Sequence, residues 1–304
     1  MLTRFILFAS WFSVLSGLLF GCINPSEHPS LMSRTPDLSQ DFKKYWYSGE
    51  AELNSYLLEQ ARYGHTYSGH SVLIFVTEPF STTKQVKVDH PDKNDISVMK
   101  LNFTKKFTTG IYPYSMMTSS FFPVNNTEPI KITSSSQEWC GHSFTQMNHT
   151  SDHYTVTYYS YFESEGDHSL TLPRTLFEDA LWNKIRIDPS SLPEGDTTMV
   201  PSFFYIRLRH REFKSYKVHI SIDSTDSLTH YRIEYPELGR VLEIKFHIEF
   251  PFLIEGWTEK YSSGWGQQAK ELTTTATRIA TITEPYWKEH NPEDSVYRHQ
   301  LGLE

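Results

Sequence analysis

Cys140 and His142 stand two residues apart in Glu138-Trp139-Cys140-Gly141-His142, a thiol and an imidazole of the kind that serve as nucleophile and base in thiol catalysis. The spacing argues against a working pair formed locally. On an extended strand the two side chains share a face but lie about 6.6–6.8 Å apart. Proton transfer needs heavy atoms within about 2.6–3.2 Å. A bulge at Gly141, or an imidazole from another strand, would have to close that gap. The plainer reading is a small, half-buried thiol beside a packing tryptophan.

Other reactive types are equally open to bland readings. His149 and His153 have the four-residue spacing of metal ligands on a helix, but Asn148-His149-Thr150-Ser151-Asp152-His153 reads as a turn, so no metal is assigned. His65 and His70 flank another turn. Glu163, Glu165 and Asp167 offer carboxylates for sugar hydrolysis or calcium, and a solvated acidic turn explains them too. The chain has no phosphate-cradling glycine loop, serine nucleophile elbow, HExxH or paired CxxC. No cofactor is implied, and the balance leans away from an enzyme.

One stretch has the composition of a ligand site. Tyr112-Pro113-Tyr114-Ser115-Met116-Met117, followed by Phe121-Phe122-Pro123, is rich in large apolar residues without strict alternation. Both of its faces must be covered somewhere. Tyr112, Tyr114, Met116, Met117 and Phe121 are the candidate lining of an apolar pocket, since flexible, polarizable Met suits an adaptable site. Core packing is the competing reading. Trp257 and Trp265, set among Gly256, Gly264 and Gly266, pose the same choice between platform and packing.

The elements that position these residues read as strands. Leu242, Ile244, Phe246, Ile248 and Phe250 alternate with Glu243, Lys245, His247 and Glu249. Tyr216–Ile222, Phe204–Leu208 and Met99–Phe103 alternate in the same way. Side chains of successive strand residues point to opposite faces, so each is a strand with one face in a core and one in water. One-sided strands belong to antiparallel sheets. Turn chemistry at Tyr67-Ser68-Gly69, Pro91-Asp92-Lys93-Asn94, Ser164-Glu165-Gly166-Asp167 and Pro236-Glu237-Leu238-Gly239 separates several strands. One helix is expected, over 175–186, with Glu178 and Asp179 in its first turn. About a dozen strands and one short helix predict a mainly β fold: a large bent antiparallel sheet, an open barrel or half-barrel, with the helix as a lid or insertion. A two-sheet β-sandwich is the alternative.

The N-terminus carries the most specific signal. Phe5 to Phe20 is an apolar run behind Arg4, the length of a signal-peptide core and short for a helix crossing roughly 30 Å of hydrocarbon. It ends in Leu19-Phe20-Gly21-Cys22, the pattern of a lipobox, which makes Cys22 the expected lipidation site. Several acyl chains, at about 0.8 kcal/mol per buried CH₂, would hold a soluble domain at a bilayer. The expected organisation is a signal peptide over 1–21, a lipidated tether over 22–40, one β domain over 41–285 and a charged tail over 286–304.

The net charge of −8, with no basic run, argues against nucleic acid. With Cys22 taken by the anchor, Cys140 has no disulfide partner, because the chain has only two cysteines.

Several segments carry a family resemblance. Tyr45-Trp46-Tyr47, Gln60-Ala61-Arg62-Tyr63-Gly64, Phe75-Val76-Thr77-Glu78-Pro79-Phe80 and Lys100-Leu101-Asn102-Phe103-Thr104, with Gly110 to Met117 and Gln137 to His142, resemble a family of uncharacterised bacteroidetes-type lipoproteins. Members are often labelled Maf-type septum formation inhibitors. True Maf proteins are α/β nucleotide pyrophosphatases with a Ser-x-Ser-Pro-Arg-Arg motif, and this chain contains neither Ser-Pro nor Arg-Arg. The resemblance therefore implies a lipoprotein and transfers no catalytic residue. The sequence leads to a membrane-anchored, non-catalytic lipoprotein of the cell envelope, on the outer membrane facing the periplasm, binding an apolar ligand such as a lipid or acyl chain. The alternatives are an assembly subunit that binds another envelope protein, and a thiol enzyme using Cys140.

Overall fold

The computed structural model describes residues 38–303. The leader, Cys22 and most of the tether lie outside them. A short helix α1 (Gln40–Trp46) leads into β1 (Ala51–Arg62), β2 (His65–Ser81), β3 (Val86–Lys87), β4 (Ile96–Thr109), β5 (Tyr112–Pro123), β6 (Lys131–Glu138), β7 (Gly141–His149), β8 (His153–Ser160) and β9 (His168–Pro173). The second half runs β10 (Leu176–Phe177), α2 (Glu178–Ile187), β11 (Gly195–Val200), α3 (Phe203–Arg209), β12 (Tyr216–Ser224), β13 (Leu228–Tyr235), β14 (Arg240–His247), β15 (Ile254–Ser263), β16 (Lys270–Glu284) and α4 (Val296–Gln300).

The protein is mainly β, and its strands form one open sheet of sixteen in the order β10-β11-β12-β13-β14-β15-β16-β1-β2-β4-β5-β6-β7-β8-β9, with β3 paired to β2. All neighbours are antiparallel except the short β10–β11 pair. A single bent sheet thus forms in place of two stacked ones. Its outermost strands, β9 and β10, are joined by Arg174 and Thr175 alone. The Tyr154 and Phe177 rings meet at 4.9 Å across that junction.

The predicted helix forms one turn later than its sequence start, but it is neither lid nor surface insertion. All ten residues of α2 are buried. It runs inside the curl, where Trp182 packs edge-on against Phe103 of β4 at 5.0 Å and Trp257 of β15 at 5.2 Å. Each fully buried large apolar side chain contributes about 1.5–3 kcal/mol. Glu178 and Asp179 near its N-terminus and Lys184 and Arg186 near its C-terminus complement the helix dipole.

Five segments depart from the sequence reading, the first being the alternation read over Leu242–Phe250, which stops at His247, the end of β14, and leaves Ile248 and Phe250 in a turn. Phe204–Leu208, read as a strand, lies in helix α3, capped by Ser202 accepting from the Phe204 N–H. Phe203 through Leu208 are all buried, so no polar stripe marks the helix. The β1–β2 turn falls at Tyr63-Gly64, with Tyr67-Ser68-Gly69 inside β2. A turn at Trp139-Cys140 separates β6 from β7, so Cys140 and His142 do not share one extended strand. The charged tail ends in two buried leucines, Leu301 and Leu303, which join Ala51, Leu53, Val72 and Val76 in a small cluster on the outside of the sheet.

Candidate functional site

Three regions gather polar chemistry. The first is the interior. Glu178 of α2 accepts from Arg240 Nη1 at 2.5 Å, from Nη2 at 2.7 Å and from the Tyr235 hydroxyl at 2.7 Å. Arg240 Nε also donates to Glu259 at 2.7 Å. Burial disfavours the charge of Glu259, but Arg240 and Lys105 outweigh it and hold the carboxyl below its ordinary value. Burial likewise drives the Lys105 ammonium below its usual range. Asp179 accepts from the Ser202 hydroxyl and the Phe203 N–H, both at 2.8 Å, yet burial pushes it up to about 7. Such shifted groups can move protons, and perturbed clusters of this kind mark active sites when a substrate can reach them. Here the hollow among Lys105, Glu178, Trp182, Arg240 and Glu259 measures about 20 Å³. That is room for one water molecule.

The second region is the hairpin end of the sheet, where the turns β1–β2, β4–β5, β6–β7 and β15–β16 lie. Glu138, the last residue of β6, is its hub. Its carboxylate is paired with Arg207 of α3 and accepts from the Tyr112 hydroxyl at 2.9 Å. That hydroxyl in turn accepts the Cys140 backbone N–H at 2.8 Å, which fixes the Trp139-Cys140 turn. Burial and the adjacent Cys140 and Glu138 side chains raise the Tyr112 phenol above its ordinary value. Arg62 donates to the Leu208 carbonyl and lies 4.4 Å from the Tyr63 ring and 5.5 Å from Trp265. Arg207 lies 4.4 Å from the Phe162 ring, and His210 Nδ1 meets Glu165 at 2.5 Å. Arginines and aromatic rings thus interleave around the C-terminal turn of α3.

The third region is the outward face of β5–β8. Register sets Met117, Ser135, Phe144 and Tyr159 side by side in one row across four strands. Met117, Phe144 and Tyr159 are exposed, the last at 54%. The next row holds Ser119, Thr133, Gln146 and Thr157. On the hairpin side stand Ser115, Gln137 and His142, with Tyr161 just beyond β8. A Cβ on Gly141 would come within 2.7 Å of the Tyr161 ring, so the ring lies directly on the glycine backbone, and it remains 67% exposed. Lys131 is the single Lys, Arg, Asp or Glu among the outward positions of β5–β8. The outward positions of β12–β14 differ sharply, with Lys217, Arg232, Glu234, Glu243 and Lys245.

Among the residues singled out from sequence, Cys140 is exposed at the β6–β7 turn, and His142 is exposed on the outward face opposite Gln137. No hydrogen bond joins the two among the described residues. Tyr112 is half-buried, and Tyr114 and Met116 are buried, on the inward face of β5; Tyr114 stacks on Phe107 at 4.6 Å. Met117 and Phe121 lie on the opposite face, Phe121 against Phe80. The five therefore do not line one pocket. Trp257 packs inside, and Trp265 is exposed at the hairpin end.

His149 belongs to a cleft of about 430 Å³ at the other end of the sheet, lined also by Gln85, Asn125, Glu128 and Ser151. There Arg174 binds Glu128 at 2.6 Å and His149 at 2.9 Å. His153 pairs instead with Asp152. No group of three or more candidate metal ligands occurs among the described residues.

Sequence reasoning missed Glu138, Arg62 and Arg207. The Gln60–Gly64 and Gln137–His142 segments were singled out, but nothing in a strand pattern says that an acidic or basic residue faces inward. No family model matches the chain, and no curated protein or solved structure shows a significant match to it.

Proposed function

We propose that the protein is a non-catalytic lipoprotein of the cell envelope, anchored through Cys22, whose β domain is a binding module that meets its partner with its surface. The observation that carries this reading is the filled interior. A pocket for a small ligand or acyl chain needs about 300–1,000 Å³. The space left around α2 and α3 is about 20 Å³ and is walled by charged groups already paired with one another. That hollow is far smaller than a ligand of this kind requires. What the domain offers is its outside.

That outside suits water. β4 turns Lys100, Asn102, Thr104 and Lys106 outward, and β14 turns out Glu243, Lys245 and His247. Membrane-embedded strands carry apolar residues at such positions. A water-facing module needs another means of reaching a membrane, and the leader with Leu19-Phe20-Gly21-Cys22 supplies it. Placement on the outer membrane facing the periplasm, and kinship with uncharacterised bacteroidetes-type lipoproteins, belong to the same proposal.

Metabolic labelling with radioactive palmitate tests it. The expected result is label on the wild-type protein, none on Cys22→Ala, and release of that variant from the membrane fraction. An unlabelled wild-type protein recovered in the cytosol with residues 1–21 attached overturns the proposal.

A further inference from the structure

We infer that the outward face of β5–β8 binds a neutral polysaccharide. This rests on the surface-binding reading above and names the partner's chemistry. Exposed apolar groups gathered in one place mark interaction sites; Phe144 and Tyr159 are paired on this face, and exposed Tyr161 follows just beyond the end of β8. Phe144 and Tyr159 are directly opposed across β7 and β8, which places their Cβ atoms about 4.5–5.5 Å apart. From Met117 to Tyr159 the row crosses three strand spacings, about 14 Å. The base of the Tyr161 side chain lies against Gly141, and the residue is 67% exposed.

The polar neighbours select the occupant. Gln137 can both donate and accept hydrogen bonds, Gln146 and Thr157 keep further capacity beside their bonds to Asn148 and Ser169, and only Lys131 at the far end of β5–β8 carries a formal charge. A neutral glycan matches this on both counts. Its hydroxyls donate and accept, and the C–H faces of its rings carry the slight positive charge that an aromatic face attracts. An anionic polymer would meet Lys131 alone on β5–β8, with Lys100 and Lys106 on neighbouring β4 at the margin of the face. A protein partner fits less well, because protein interfaces are depleted in Ser and this face sets exposed Ser115 and Ser135 beside its apolar side chains. Strand side chains held in register need little further ordering on binding, which favours a flat, repetitive ligand.

Affinity electrophoresis of the detergent-solubilised full chain is the test, in native gels cast with dextran, a mixed-linkage β-glucan or a galactomannan, and with polygalacturonate as the anionic control. The expected result is retardation by at least one neutral polymer. Phe144→Ala with Tyr159→Ala should weaken it at least tenfold, whereas Tyr159→Phe and Lys217→Ala should leave it unchanged. Circular dichroism and the unfolding midpoint establish that each variant is folded. Retardation by none of the neutral polymers, retardation only by polygalacturonate, or equal retardation of the folded double variant overturns the inference. So does a double variant whose effect is to dissociate a dimer in light scattering, which would make this face a contact between copies. Cys22→Ala should be retarded like the wild type, so failure of the lipid anchor shows in palmitate labelling and failure of this inference shows in the gel.

Discussion

Arg186 of α2 grips Glu52 of β1 through two hydrogen bonds, Nη1 to Oε1 at 2.5 Å and Nη2 to Oε2 at 2.6 Å, although 134 residues separate them. Both side chains are essentially inaccessible to water. The Tyr45 hydroxyl and the Asn54 amide also donate to the carboxylate, and the guanidinium lies 5.0 Å from the Trp46 ring. The pair therefore ties α1, β1 and the buried helix together. Removing one partner strands the other's charge in the core, at a cost of about 3–5 kcal/mol. Glu52→Gln and Arg186→Met should each lower the urea midpoint accordingly, and Glu52→Leu with Arg186→Met should recover much of the loss. Equal midpoints for wild type and Glu52→Gln would refute the pairing.

Asp179 gives stability an unusual pH dependence. In the unfolded chain an aspartate titrates near about 3.9, and here burial lifts it to about 7. Between these values the folded protein keeps a proton that the unfolded chain has released, so stability falls as pH rises through this window. Below it both states are protonated and nothing is lost; above it the penalty is complete, on the order of 4 kcal/mol. Glu52 and Glu259 act with the opposite sign. Their carboxyls are held low by arginine, so their contribution is present above the unfolded carboxylate range and lost as pH falls. The wild-type profile mixes these effects, and comparison with Asp179→Asn separates them. The variant should gain on the wild type as pH climbs from 4 to 8. A constant difference over that range would show that Asp179 titrates normally.

How much of this was readable beforehand depended on which side of the sheet was polar. Strands of the second half follow the rule that alternating apolar residues face the core: Leu242, Ile244 and Phe246 are buried and Glu243 and Lys245 are not. α2 was legible because Glu178 and Asp179 open a segment whose apolar residues recur at helical spacing, Ala180, Leu181 and Ile185 among them. β1 shows where the rule fails. Glu52, Asn54, Gln60 and Arg62 look like a solvated face but point inward, toward partners on α2, α3 and β16. Leu53 looks like core but is covered from outside by the C-terminal leucines. α3 failed for a related reason. It is buried on all sides, so Phe203 to Leu208 shows no helical period, and Arg207 reads as an outward strand residue when its charge is met by Glu138. The hairpin-end network depends on partners that lie 64 and 69 residues from Arg207 in the sequence. No local pattern encodes them.

Cys140 should behave as an open thiol without a catalytic task. It lies exposed on a turn, with no hydrogen bond to His142 among the described residues. Ellman's reagent should modify one thiol per native chain lacking Cys22, without denaturant, and Cys140→Ser should alter the unfolding free energy by less than about 0.5 kcal/mol. Full reaction at pH 6 would reveal an activated thiolate and revive the thiol-enzyme alternative. Protection until unfolding would place the side chain inside.

Gly141 is the last point at which backbone and surface meet. Its φ of +154° is one that side-chain-bearing residues rarely adopt. An added Cβ would approach the Tyr161 ring within 2.7 Å at Cγ and 2.8 Å at Cβ. Gly141→Ala must therefore either push the ring away or bend the β6–β7 hairpin, at a cost of about 1–3 kcal/mol for the strained backbone. The two responses differ in what they leave intact. If the ring yields, Tyr161→Ala made on top of Gly141→Ala relieves the steric part of the cost, and the double variant is more stable than Gly141→Ala alone. If the hairpin bends, the Cys140 N–H bond to Tyr112 breaks, and the Cys140 amide exchanges with deuterium faster. A Gly141→Ala protein with unchanged stability and unchanged amide exchange would mean that Tyr161 does not rest on this glycine.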